Sequence, residues 1–167
     1  ITALLVPADA AGISYGKNEE KMGWKAQPTR TVTFDNVRVP IAHRLGVEGQ
    51  GFAIAMEGLD GGRINIATCS VGTAQQALEE AVAYVQERKQ FDTAIADFQA
   101  TRFSLADMAT ELVAARQMIR LAAWKLDRGD SQATTYCAMA KRFATDVGFK
   151  VCNDALQLFG GYGYIKE

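Results

Sequence analysis

The spacing of apolar and polar residues changes near residue 48, and the two patterns call for different backbones. Before that point the pattern is β. Thr2-Ala3-Leu4-Leu5-Val6 is a short apolar run closed by Pro7, and Ile13-Ser14-Tyr15 follows a glycine. Thr31 to Asp35 alternates, with Val32 and Phe34 on one face and threonines on the other, which predicts a half-buried antiparallel strand. Asp35-Asn36 signals a turn, and Val37-Arg38-Val39 resumes the strand until Pro40 ends it.

After Gly49-Gln50-Gly51 the period becomes helical. A first helix is expected over roughly 52–87, on a stripe of Val71, Ala74, Leu78, Val82 and Val85. Gly58, Gly61 and Gly62 lower its propensity and point to a kink or a close approach there. A second helix near 98–128 carries Leu105, Met108, Leu112, Ala115, Ile119, Ala122 and Leu126, with Asp97 as N-cap and Lys125, Arg128 and Gly129 at its end. A third near 131–159 carries Tyr136, Ala140, Phe143, Val147, Val151, Ala155 and Leu158; Ser131 is its candidate cap and Gly160-Gly161 its stop. At 1.5 Å per residue the second and third helices are each on the order of 40 Å long. Their short connection makes them antiparallel neighbours, and the alanines on their stripes permit close packing. The fold class is therefore α+β, a β-region followed by an up-down helical bundle that wants a fourth helix.

The 167 residues suffice for one or two small domains, and 49% apolar with 22% charged residues is ordinary globular composition. No apolar run approaches the roughly 18 residues of a membrane span. A net charge of −1 offers no broad basic surface to nucleic acid or anionic lipid, so any anionic ligand must be met by a few placed cations. Cys69, Cys137 and Cys152 share no CxxC spacing and read as reduced, buried thiols, with no metal site. His43 is the only histidine and reads as a surface residue without triad partners; Met108, Met118 and Met139 read as core filler. The chain opens inside a strand-like run and closes just after a glycine turn, which reads as part of something larger.

Three stretches carry candidate chemistry. In Asp60-Gly61-Gly62-Arg63 an acid and an arginine at i, i+3 share a helix face, and two glycines leave the backbone open. This is either a surface ion pair or a ligand contact. In Glu87-Arg88-Lys89-Gln90-Phe91 the cations suit a helix end electrostatically, or Arg88 forks onto a phosphate beside the flat face of Phe91. Phe98-Gln99 then opens a helix whose free N–H groups can face an anion. In Gln157 to Tyr164 three glycines interleave with two tyrosines, more than a helix cap requires.

In this order and at these separations, the motifs resemble the acyl-CoA dehydrogenase family. The resemblance runs through Arg30 to Pro40, Gly49-Gln50-Gly51-Phe52, Asp60 to Arg63, Glu87 to Phe91, Gln99, and Gln157 to Gly163. Within the family, Gln27 to Arg30, Gly61 to Ala67, Leu105 to Thr110 and Gly160 to Tyr164 look like the isobutyryl-CoA branch. The resemblance implies that residues 1–48 end a middle β-domain and that 49–167 belong to a C-terminal helical bundle, short of its last helices. It implies that Asp60, Gly61, Gly62 and Arg63 line a CoA–pantetheine channel. Arg88 and Phe91 would meet the pyrophosphate of FAD with Gln99 nearby, and Gln157, Gly160 and Gly161 its adenosine end, on a neighbouring subunit's flavin.

The implied reaction is α,β-dehydrogenation of a short, branched acyl-CoA, with electrons passed to an electron-transfer flavoprotein by a tetramer built as a dimer of dimers. The compartment would be the cytoplasm in a bacterium or the mitochondrial matrix in a eukaryote. One family position for the catalytic base falls on Gly62, which cannot take a proton; the other is expected downstream of Glu167, so residues 1–167 alone should be inactive. Two other readings stand beside this one: an acyl-CoA oxidase or flavin monooxygenase on the same fold, and a non-catalytic helical oligomerisation module.

Overall fold

The computed structural model describes residues 1–166 and divides the chain into two compact units, Ile1–Met56 and a second from Glu57 onward. Glu167, downstream of which the base is expected, lies outside the described residues. In the first unit β1 (Ala3–Leu4) pairs antiparallel with β4 (Arg44–Leu45). The strands β2 (Ile13–Tyr15) and β3 (Val32–Phe34) pair antiparallel with Ile13 opposite Phe34 and Tyr15 opposite Val32. The expected alternation is present, but the burial is not: Tyr15, Val32 and Phe34 are all exposed, because these short pairs have no second layer within their own unit. Nor does a strand resume at 37–39. Asn36 turns the chain at φ +50° and its side chain bonds Asp35, while Pro40 has no N–H to give. His43 is half-buried rather than on the surface, with Nδ1 shielded and unpartnered.

The helix α1 (Gly51–Glu87) is continuous for 37 residues. Its glycines at 58, 61 and 62 do not interrupt it, and among the described residues no atom beyond the helix's own adjoining backbone lies within 4 Å of where their Cβ atoms would be. The expected close approach is thus not made by this chain. The first turns of α1 group with the strands, where the Gly51 N–H donates to the Ile1 carbonyl at 3.0 Å.

In the second unit α1 continues to a short hairpin, β5 (Lys89–Gln90) and β6 (Thr93–Ala94), then α2 (Gln99–Asp127) and α3 (Ala133–Leu158). All three helices bury a stripe whose members lie three or four residues apart, as in coiled-coil packing. In α1 the stripe alternates small and large: Ala67, Val71, Ala74, Leu78, Ala81, Val85. In α2 it runs through Met108, Leu112, Ala115, Ile119 and Ala122; in α3 through Cys137, Ala140, Ala144, Val147, Val151 and Ala155. Two expected stripe members yield to alanines beside them. Ala81 is fully buried beside a half-buried Val82, and Ala144 is buried while Phe143 is exposed. Met139 and Cys69 are exposed rather than buried; Cys152 is half-buried and Cys137 fully so, and burial raises both of those thiol pKa values.

The helix ends also depart from expectation. Residue Phe98 precedes α2 without a side-chain cap, and Asp97 instead pairs with Arg102 at 2.7 Å. Ser131 does not cap α3; Asp130 accepts the Gln132 N–H at 2.8 Å. The end of α2 is as expected from Gly129. At φ +63° it lets its own N–H reach Leu126 and that of Asp130 reach Lys125, a Schellman closure.

Where α3 passes α1, Gly148 lies so close to Ser70 that a Cβ would sit 3.1 Å from the Ser70 carbonyl oxygen and Cβ. The atoms met belong largely to helix backbone, so a side chain there requires the two helices to shift by a few tenths of an ångström. Gly148→Ala should lower stability despite the ~1 kcal/mol of helix propensity it gains, because overpacking costs about 1–3 kcal/mol. Gly72→Ala, on an open face of α1, should raise it by about 0.4–1 kcal/mol. Urea midpoints at unchanged slope read both, and equal shifts of the two variants would contradict the close contact.

Asp130 also accepts from Lys125 Nζ at 2.8 Å; that bond, then the Gln132 N–H, hold its carboxyl below the ordinary value of 3.8. A folded-state pKa depressed in this way adds stability above the unfolded pKa and loses it as pH falls through the folded one. Melting curves from neutral pH to pH 2 should therefore show wild type and Asp130→Asn converging below about pH 4; a constant gap would refute the linkage.

Candidate ligand-binding site

Both candidate sites of the second unit arise where α1 and α3 meet. At the far end of α1 the chain leaves the helix at Arg88, whose N–H still donates to Tyr84 at 2.9 Å, and the Arg88 carbonyl accepts from Ile95 at 2.9 Å. These bonds fix Arg88 at the root of the hairpin. The hairpin has a two-residue turn, Phe91-Asp92, with φ of +53° and +62°, the left-handed geometry of a tight type I′ turn. A phenylalanine seldom adopts that backbone, and here its side chain is 91% exposed, so nothing within the chain repays the strain.

The end of α3 supplies the other wall. Phe159 stacks on Tyr84 with ring centroids 4.5 Å apart, and Gly160 turns the chain at φ +58° into a 3-10 turn, Gly160–Gly163. That turn brings Tyr162 beneath the Arg88 guanidinium, 5.3 Å from its ring centroid. Together these elements enclose an open cavity of about 470 Å³ lined by Tyr84, Arg88, Gln90, Phe159, Gly161 and Tyr162, among others. Among the described residues Arg88 has no carboxylate within 4 Å. The cavity therefore offers one uncompensated, half-buried cation, flat aromatic rings and bare glycine backbone.

Arg88, Gly160 and Gly161 are thus brought together as one wall. Phe91 and the exposed Gln99 and Gln157 do not line the cavity. Tyr84 and Gln90 do; Gln90 lies within the expected Glu87 to Phe91 stretch without a role of its own, and Tyr84 is one helical turn before Arg88 and so on its face.

The second cluster lies about eight turns of α1 earlier. Asp60 is 8% exposed, one of its oxygens ion-paired with Arg63 and the other accepting from the Thr134 hydroxyl of α3 at 2.6 Å. Gly61 and Gly62 flank the pair with open space around them. This is neither a plain surface ion pair nor an unattached carboxylate. Among the described residues no group of three or more His, Cys, Asp or Glu is placed to hold a metal, and no helix is long and apolar enough to cross a membrane.

A family model described as "Acyl-CoA dehydrogenase, C-terminal domain" matches residues 49–167. The isobutyryl-CoA dehydrogenase, mitochondrial, of Dictyostelium discoideum is 56% identical over the whole chain, which spans 40% of that relative's length. The caffeyl-CoA reductase-Etf complex subunit CarC of Acetobacterium woodii is 46% identical over all of this chain and 44% of its own length. The butyryl-CoA dehydrogenase structure from Megasphaera elsdenii superposes with a TM-score of 0.94 at 44% identity, covering 98% of this chain and 43% of that one. The chain thus spans well under half of each relative.

Relieving the turn separates strain from packing. Phe91→Asn places a residue that tolerates φ > 0 in the hairpin, so the melting temperature should hold or rise, by about 2–4 °C per kcal/mol of strain released. A clear fall would mean that the Phe91 ring is packed after all.

Proposed function

Because the chain belongs to the acyl-CoA dehydrogenase family, we propose that the intact protein oxidises a short, branched acyl-CoA with bound FAD, removing the α-hydrogen as a proton and the β-hydrogen as hydride. The observation that carries the cofactor half of this reading is the Arg88 cavity. A dinucleotide needs a cation for its pyrophosphate, flat apolar surface for its rings, and backbone without Cβ atoms where it passes closely. Arg88, the Tyr84 and Tyr162 rings and Gly161 fit that description. When bound, FAD supplies the hydride acceptor; the residues of this chain supply placement.

In this reading Arg88 meets the pyrophosphate, and Gly160 and Gly161 with Gln157 meet the adenosine end. Phe91, displayed on its strained turn, meets the same pyrophosphate with Gln99 nearby, and the flavin all of them serve is one held by a neighbouring subunit. Exposure supports that assignment: a ring held outward at an energetic cost has its use outside its own unit. Asp60, Gly61, Gly62 and Arg63 line the channel for the CoA–pantetheine arm, where the open glycine face leaves room for a chain to pass. Gly62 has no side chain to take a proton, so the base is assigned to a glutamate beyond residues 1–167. Electron-transfer flavoprotein is the proposed acceptor, consistent with the name of the Acetobacterium relative. The branched acyl chain rests on the higher identity to the Dictyostelium enzyme.

Arg88→Gln in the intact protein should weaken FAD retention roughly 10- to 150-fold, the worth of one charge-assisted hydrogen bond of about 1.5–3 kcal/mol. Flavin absorbance after dialysis measures it, alongside turnover of isobutyryl-CoA with an artificial acceptor. Full retention of flavin by the variant, or no flavin in the wild type, would sink the proposal.

A further inference from the structure

Thr134 lies outside every motif the family resemblance rests on, yet its hydroxyl is the one recorded side-chain bond from residues 57–63 to another helix, among the described residues. Asp60 and Thr134 belong to different helices, α1 and α3, and meet at 2.6 Å. The carboxylate they share with Arg63 is almost wholly buried, and both its oxygens are spoken for: Oδ1 by Arg63 Nη1 and Oδ2 by Thr134 Oγ1. Around them Gly58, Gly61 and Gly62 make no close contact that could hold this stretch of α1 in place. At these three positions no side chain packs, so the Asp60–Thr134 bond is the side-chain link that ties this stretch to α3.

Arg63 is left with one edge of its guanidinium on Asp60. Its Nε and Nη2 have no partner among the described residues, and its side chain is 32% exposed. A guanidinium clamped on one edge keeps its remaining donors in a fixed plane, which lowers the ordering cost of meeting an anion or carbonyl. The clamp is only as rigid as Asp60. With Oδ2 released, the carboxylate can rotate about its own side chain and carry Arg63 with it.

We propose that Thr134 is a positioning residue for acyl-CoA binding, acting through Asp60 to hold Arg63 in its ligand-ready orientation. This rests on the assignment of Arg63 to the CoA–pantetheine channel. Thr134 touches neither substrate nor cofactor; a hydroxyl suits the task because it satisfies Oδ2 without bringing a second cation that would compete with Arg63.

The test is a double-mutant cycle in the intact enzyme with FAD bound, read by steady-state kinetics with isobutyryl-CoA. Thr134→Val keeps the shape and removes the donor; it should raise KM roughly 3- to 20-fold while kcat stays within about twofold. Thr134→Ser restores the donor and should restore KM, and flavin content should match wild type in both. In an Arg63→Gln background, Thr134→Val should add little, since the residue it positions is gone. Unchanged KM in Thr134→Val, failure of the serine to rescue, or full additivity with Arg63→Gln would each overturn the inference while leaving Arg63 as a ligand contact. An Arg63→Gln enzyme with wild-type KM would instead overturn the channel assignment and this inference with it. Should Thr134→Val not fold, Thr134→Ala takes its place in the same cycle.

Discussion

Close approach of α1 and α3, made possible by small residues, is the constraint on which the rest of the second unit depends. Ala67, Ala74 and Ala81 on one helix, and Ala140 and Ala144 on the other, are all fully buried in one core cluster. At the tightest point Gly148 lies against the backbone of Ser70. The two helices consequently run parallel, linked at three levels: Asp60 with Thr134, Ser70 with Gly148, and Tyr84 with Phe159. The outer two are about 36 Å apart along α1 at 1.5 Å per residue. Each carries one of the candidate sites.

Much of this fold is legible in the sequence because heptad spacing is a periodic signal and the helices are long. Three helices and their boundaries follow from it to within two or three residues. What periodicity does not give is the choice between neighbours. Phe143 and Val82 attract attention as large apolar residues, but alanines beside them occupy the seam, since the seam selects for small size as well as hydrophobicity. The helix caps differ from the expected residues for a related reason. Asp97 has cap chemistry, but its carboxylate is drawn to Arg102, an interaction that appears only once the chain turns. Likewise the alternating residues of β3 describe a two-faced strand correctly without saying what covers its apolar face.

The candidate site is legible to a different degree. Arg88, Gly160 and Gly161 stand out as a cation and bare backbone near helix ends, and the fold gathers them about one cavity. Asp60 and Arg63 stand out by spacing alone. Thr134 could not, because a threonine in the first turn of an amphipathic helix is unremarked until its partner 74 residues away is known. Nor does the sequence reveal that Phe91 occupies left-handed backbone; no Asn-Gly or Asp-Gly pair advertises the turn, and two ungainly residues adopt it instead.

The parallel course of α1 and α3 has one more effect. Both helices finish at the cavity, so the carbonyl-rich ends of two peptide columns, each equivalent to roughly half a negative charge, are gathered about Arg88. The arginine that lacks a carboxylate neighbour therefore stands where two helix ends favour a positive charge, though neither takes the place of a paired anion. Their field is diffuse and cannot grip individual N–H groups, so it stabilises the charge in place and still leaves the guanidinium's directional bonding free for whatever enters.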